Sequence, residues 1–358
     1  MIPKVDTPIV PQANRDAVGG NARAQLGWTT ELVATGYAYP RLRVDNDEFL
    51  ARSQFALAQD LDDLINETRM KTRYWCASDE NTWTLARTAV WQVLDAAPEL
   101  GEQIDVVVVA SGTTMPVVHP AVSSNPGVAD LAPLVLRELN RDNALGVDIK
   151  ACYCTGFLRA VQVADAMLGN ANYRAALVIA TEQGSRFATA ASNRSSFCFI
   201  MADAAGAALL RRRDESTPGV GLVDYVGWTD ASKVDWVGIG PDAASTVMRG
   251  SRAGGATHEM LVACGRMLLA RNGLQPNHVD WFLPIQTHAR IVEGARDALG
   301  FAPDQLLWFG DRTGFSGSAS IPACLAEQVE RATIRRGDLI LSLAVGAGMN
   351  CAGALYYY

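Results

Sequence analysis

Short apolar runs alternate along this chain with longer stretches in which apolar residues recur every three or four positions. The runs "TTELVATGYAY" (29–39), "IDVVVVAS" (104–111), "AALVIATE" (175–182), "MADAAGAALLRR" (201–212), "VDWFLPIQ" (279–286) and "DLILSLAVGAG" (338–348) predict strands. Several are apolar at nearly every position, as strands covered on both faces are. "NTWTLARTAVWQVLDAA" (81–97) has helical spacing, with Leu85, Val90, Val93 and Leu94 on one side. "RAVQVADAMLGN" (159–170) predicts a helix that stops at Gly169-Asn170, and "HEMLVACGRMLLARNGL" (258–274) one that stops at Gly273. "ARIVEGARDALGF" and "IPACLAEQVERATIRRG" complete the helices. Buried strands alternating with helices specify an α/β protein whose sheets carry helices on both faces.

The alternation occurs twice. Two comparable halves meet at the charged, proline-bearing segment "RRRDESTPG" (211–219), which points to a duplicated α/β unit. The expected division is a polar arm over 1–27, a first half over 28–213 and a second over 214–358. Residues 339–358 carry no charge and are long enough to span a bilayer. Glycines interrupt them, however, and they break into two strands, 339–345 and 351–357, joined by a glycine turn, so no membrane segment is expected.

Composition narrows the classes. Of 358 residues 49% are apolar and 19% charged, enough to build a sizeable core, and the net charge of −7 argues against nucleic acid as a partner. The seven cysteines are scattered, and the first thirty residues hold no apolar core of a signal peptide. Free thiols in a reducing, cytoplasmic setting are therefore expected. With no CxxC and four isolated histidines, no metal site is expected.

The chemistry concentrates at "KACYCTGFLRA" (150–160), where Cys152 and Cys154 end a strand just before a helix. Amides at a helix N-terminus favour negative charge, so a cysteine there is a candidate nucleophile with a lowered pKa. Gly156 lets the backbone turn closely beneath a substrate carbonyl. The competing reading is a pair of small core residues. Glu182, at the end of the following strand, is either a second base or a solvated strand end.

The chain from about residue 30 to its end resembles the β-ketoacyl-ACP synthase III family of the thiolase superfamily. "YCTGFLRAVQVADAMLGN…AALVIATE" is similar to that family's nucleophile corner, helix and next strand; "IMADAAGAALL", with Asp203 and Gly206, to its "FGDGAGA" strand. "HVDWFLPIQTHARI" resembles its "DWxxPHQANxRI" segment, "DRTGFSGSASIPACLAE" its "HGNxSAASxP" segment, and "AVGAGMNCAGALYYY" its closing glycine loop and strand. The resemblance implies a thiolase-like fold of duplicated, layered α-β-α-β-α halves, and a homodimer or a heterodimer with a related synthase. It implies acyl carrier protein or coenzyme A thioesters as substrates, with no cofactor. It places the acylated nucleophile at Cys154 and an oxyanion-hole amide at Gly348.

The resemblance fails at two catalytic positions. Ile285 stands where the family has its histidine, and Phe315 where it has the asparagine of "HGN". Neither side chain can donate to an enolate oxygen. His288 replaces the asparagine of "PHQAN" and becomes the candidate base of a Cys154–His288 pair. His119, His258 and His278 read as structural, with His258 opening a helix or lining a mouth. Asp63 stands near the place of the adenine-stacking tryptophan of some members. Arg69, Lys71, Arg73 and Arg194 are candidate positive charges for a carrier or coenzyme A. Three functions stay open: decarboxylative condensation with a malonyl-type thioester in fatty-acid or polyketide-type biosynthesis, acyl transfer to a specialised-metabolite acceptor without decarboxylation, and a non-catalytic subunit of a heteromeric synthase.

Overall fold

A computed structural model describes residues 26–53, 55–113, 130–150, 153–193, 196–215, 218–240 and 245–358. The arm over 1–25 and the positions of Cys152, His119 and Arg194 lie outside the described residues.

Two mixed sheets carry the fold. The first has the order β1 (Thr29–Ala38), β7 (Asp203–Arg213), β6 (Ala175–Gln183), β4 (Ile104–Ala110), β5 (Leu145–Ile149). The second has the order β8 (Gly221–Thr229), β13 (Asn350–Tyr357), β12 (Leu339–Gly346), β11 (Trp281–Pro284). Read in those directions the sheets share one plan. The opening strand pairs antiparallel with the closing strand, which pairs antiparallel with a third, and the third pairs parallel with a fourth. The duplication expected from the run pattern is thus visible as repeated topology. Two short antiparallel pairs complete the strands: β2 (Leu42–Asp45) with β3 (Thr72–Trp75), and β9 (Val237–Ile239) with β10 (Thr246–Met248).

Five layers result. Helix α1 (Thr82–Ala96) covers the outer face of the first sheet, capped by Asn81, whose side chain accepts from the Trp83 and Thr84 amides. Helices α2 (Gly156–Leu168) and α5 (Ser320–Glu330) lie between the sheets. Eight residues of α2 and nine of α5 are buried, which is why both sequences are apolar on most sides. Helices α3 (Gly250–Arg271) and α4 (Ala289–Leu299) form the far layer. The charge-free tail forms β12 and β13, paired from Leu339 opposite Tyr357 to Gly346 opposite Asn350. Among the described residues no helix is long and apolar enough to cross a membrane.

Candidate active site

The site lies where the ends of the central strands of both sheets meet the N-terminus of α2. Cys154 sits in a 3-10 turn, Tyr153–Thr155, that runs directly into α2. Tyr153 holds a φ of 40°, a left-handed conformation that costs a bulky residue on the order of 1–3 kcal/mol. That turn places the next residue, Cys154, just ahead of the first residue of α2. Gly156 makes it possible: a Cβ there would stand 2.9 Å from Ser318 Cβ and 3.1 Å from Ala110 Cβ.

Cys154 lines two cavities. The larger, of about 660 Å³, also touches Ser196, His258, Ile285, Thr287, His288, Arg290, Phe315 and the backbone of Gly346–Ala347. The smaller, of about 70 Å³, lies against Glu182, Phe187, Phe197, Met201, Val237, Ile239 and Phe315. The structure therefore brings Cys154 and His288 to the lining of one cavity. It places Ile285 and Phe315, each 2% exposed, in that lining too. Both are rigidly held. The Ile285 amide donates to Leu343 O (2.8 Å), extending the β11–β12 ladder, and the Phe315 amide donates to Ile200 O (2.7 Å).

His288 occupies the N-cap position of α4, but its ring does not cap the helix. Nε2 meets Ser196 Oγ at 2.8 Å and Nδ1 meets Thr287 Oγ1 at 3.3 Å. Among the described residues these hydroxyls, rather than the Cys154 thiol, are its hydrogen-bond partners. Burial, reinforced by Arg290, pushes the imidazole down to about 4. It is a neutral ring, able to accept a proton, at all ordinary pH values.

The expected lowering of the Cys154 pKa does not occur. Burial first, and Glu182 second, push the thiol up to about 12, while a backbone hydrogen bond opposes them only partly. Desolvation of the thiolate outweighs the helix terminus. Cys154 therefore rests as a thiol, and any attack by it requires a base to take its proton.

Glu182 is not a solvated strand end. It is 3% exposed and accepts from Ser318 Oγ (2.5 Å), Thr113 Oγ1 (2.6 Å) and the Gly112 amide (3.0 Å). It ties the loop after β4 to the turn before α5, and burial raises its pKa against those bonds. Gly348 lies in the turn between β12 and β13 with φ 120°, where a Cβ would stand 2.5 Å from Asn350 Nδ2. Its neighbours Ala347 and Met349 line the larger cavity.

The candidate carrier-binding cations fare differently. Arg73 is fully buried, its guanidinium packed between the Phe49 and Phe199 rings and donating to Asp45 O and Asn46 Oδ1. It cannot meet a phosphate or a carrier surface and is a structural residue. Arg69 and Lys71 are exposed and paired, with Glu293 at 2.6 Å and Asp311 at 2.8 Å. Asp63 is exposed on the helix Leu61–Thr68. His258 lies well inside α3, which starts at Gly250 rather than at His258, and it lines the larger cavity. His278 is exposed and accepts from the Gln275 amide. Among the described residues no three His, Cys, Asp or Glu side chains assemble as metal ligands. Ser196, Phe197 and the Ser318–Glu182 contact escaped the sequence reading, because only the fold brings these segments to the cysteine.

Comparison with known proteins agrees with this geometry. The profile described as 3-oxoacyl-[acyl-carrier-protein] synthase III matches residues 147–230, and that of its C-terminal part matches residues 269–358. A β-ketoacyl-[acyl-carrier-protein] synthase III from Paramagnetospirillum magneticum is 30% identical over 339 residues, covering 91% of this chain and 98% of the relative. Its counterpart from Sphingopyxis alaskensis is 30% identical over 334 residues, 90% of this chain and 97% of the relative. The solved synthase III from Thermus thermophilus superposes with a TM-score of 0.78 at 26% identity, over 92% of this chain and 99% of that one. The priming β-ketosynthase of the R1128 polyketide pathway gives 0.77 at 25%, over 92% and 96%. These solved synthases share the two-sheet, five-layer architecture, so the fold is thiolase-like. With 30% identity to such enzymes over nearly their full length, the chain belongs to the β-ketoacyl-[acyl-carrier-protein] synthase III family.

Proposed function

We propose that this acyltransferase carries its acyl group on Cys154 and passes it to an acceptor without decarboxylation, with His288 as the proton acceptor. The observation that carries the reading is one cavity lined by a cysteine thiol, a neutral imidazole, and two buried apolar residues where an enolate would need hydrogen-bond donors.

The steps follow from the groups present. Sγ of Cys154 attacks the carbonyl of a coenzyme A or phosphopantetheinyl thioester, and its proton passes to His288. The Sγ–C bond forms, the thioester C–S bond breaks, and the departing thiolate takes the proton. An acceptor bearing a removable proton then attacks the acyl carbon, the Sγ–C bond breaks, and His288 passes the acceptor's proton to the departing Sγ. His288 must turn from Ser196 toward Cys154, or reach it through the Ser196 hydroxyl, because hydrogen bonds in a substrate-free site tighten only when substrate is bound. The oxyanion at each stage is assigned to the amides of Cys154 and Gly348, fixed donors that stabilise charge as it develops.

Decarboxylative condensation is the second reading, favoured by 30% identity to enzymes named β-ketoacyl synthase III. The test is to load the protein with an acyl thioester, add malonyl thioester labelled with carbon-13 in the free carboxyl, and follow labelled carbon dioxide. Transfer to other nucleophiles without label release is expected. Stoichiometric release with β-ketoacyl product would replace the first reading with the second.

A further inference from the structure

Both ring nitrogens of His288 face hydroxyls, and neither is left open toward the Cys154 thiol. Nε2 stands 2.8 Å from Ser196 Oγ and Nδ1 3.3 Å from Thr287 Oγ1. The first is a full hydrogen bond; the second, between adjacent residues, is long for one. The ring is 6% exposed, at the N-cap position of α4. Turning it toward the thiol would give up the shorter bond at a buried position, where unmade bonds are costly.

The serine that takes this bond comes from the first half, immediately before the short helical turn Phe197–Ile200. Its carbonyl accepts from the Phe199 amide at 3.1 Å. Cys198, Phe199 and Ile200 are buried, and Phe197 packs edge to face on Phe315, with ring centroids 5.2 Å apart. The backbone that carries the hydroxyl is therefore fixed. Phe197 lines both cavities that Cys154 lines, and Ser196 lines the larger one together with Cys154 and His288. The serine's segment thus borders the same space as the cysteine while its side chain bonds the imidazole. A serine hydroxyl has one donor and two acceptor lone pairs, so it can donate to Nε2 and still accept from a thiol.

We propose that Ser196 is a catalytic residue, the proton relay between the Cys154 thiol and His288. The inference rests on Cys154 being the acyl carrier and His288 the base. As Sγ attacks the thioester carbonyl, its proton passes to Ser196 Oγ and the Ser196 proton passes to Nε2. The Sγ–C bond forms, the thioester C–S bond breaks, and the proton leaves Nε2 by way of Oγ to the departing thiolate. Nδ1–H donates to Thr287 Oγ1 throughout, which holds the tautomer whose Nε2 is free to accept. The imidazole then serves the thiol without leaving its place.

The test is single-turnover acylation of the full chain by acetyl-coenzyme A, followed by intact-protein mass spectrometry in water and in deuterium oxide. Ser196→Ala is expected to slow acylation by about 10² or more, the scale of a lost proton-transfer group. Its solvent isotope effect should also be smaller than the native one, because one proton rather than two is in transit. Comparing the two proteins cancels the contribution of the thiol, which both contain. Ser196→Thr keeps the hydroxyl and should retain the larger effect, with a rate within about tenfold of the native one. Circular dichroism confirms that each variant is folded. Ser196→Ala acylating as fast as the native protein overturns the relay and leaves the Cys154–His288 pair standing. An equal isotope effect in the two proteins also overturns it, because a residue that merely holds the ring moves no proton. Ser196→Thr as slow as Ser196→Ala overturns the need for a hydroxyl. No adduct on the native protein overturns the Cys154 reading, and this one with it.

Discussion

The floor and the far wall of the larger cavity come from different halves of the chain and have different characters. The floor, from the first half, is built around one sulfur: strained Tyr153 presents Cys154, Gly156 packs on Ser318, and Glu182 braces the surrounding loops. The opposite side, from the second half, carries Ile285 and Phe315 in place of hydrogen-bond donors, together with the imidazoles of His258 and His288. Covalent capture of an acyl group needs a nucleophile, a base and an oxyanion site; stabilising an enolate needs donors at a second oxygen. In the proposed roles the first half supplies the nucleophile, Cys154, while the base, His288, and the Gly348 amide come from the second half, whose Ile285 and Phe315 offer no donor to an enolate. Groups proposed for acyl capture thus straddle both halves, whereas the two positions that would serve an enolate lie on the second half alone.

Changes to the proposed base test that contrast most strongly. His288→Ala is expected to slow acyl transfer by about 10² to 10⁴, the usual contribution of a positioned base. The sign of the native pH profile follows from the imidazole's low pKa. Only the neutral ring accepts a proton, so the acid limb should fall near pH 4 rather than near 6.5. An acid limb at 6.5 would show that another group serves as base.

Restoring donors to the wall sharpens the contrast. Ile285→His combined with Phe315→Asn should raise labelled carbon dioxide release from malonyl thioester by about tenfold or more, the scale of a single oxyanion donor or above. An unchanged rate would mean that the apolar wall is not what limits decarboxylation. Gly348→Ala acts on the seam between the halves. With φ at 120° and Asn350 in the way, it should destabilise the protein by about 1–3 kcal/mol, read as a lower denaturation midpoint. The smallest effect belongs to the floor. Glu182→Gln removes a charge that raises the Cys154 thiol, so alkylation by iodoacetamide near pH 9 should quicken by about a fewfold factor.

The fold was legible because its elements obey local rules. The continuous apolar runs of β4, β6 and β12 and the helical spacing of α1 and α2 stand where the pattern puts them. The uncharged tail reads as a strand pair because its glycines break it. The site was legible only in part. Cys154 and His288 could be picked out by position, and they do share a cavity. Two electrostatic expectations failed for one reason. Arg73 looks like a surface cation, yet Phe49 and Phe199 enclose it. Cys154 looks like an activated thiolate, yet burial holds it as a thiol. Desolvation depends on residues distant in sequence, which no local motif contains. The same holds for Ser196 and Phe197, whose partners His288 and Phe315 lie 92 and 118 positions away.

The most direct test of the account is to locate the acyl group. The native protein is mixed with acetyl-coenzyme A, quenched in acid and digested with trypsin, and the peptide from Ala151 to Arg159, which holds both Cys152 and Cys154, is fragmented in the mass spectrometer. The account predicts an acetyl group on Cys154. An acetyl group on Cys152, or on any residue outside this peptide, would contradict it.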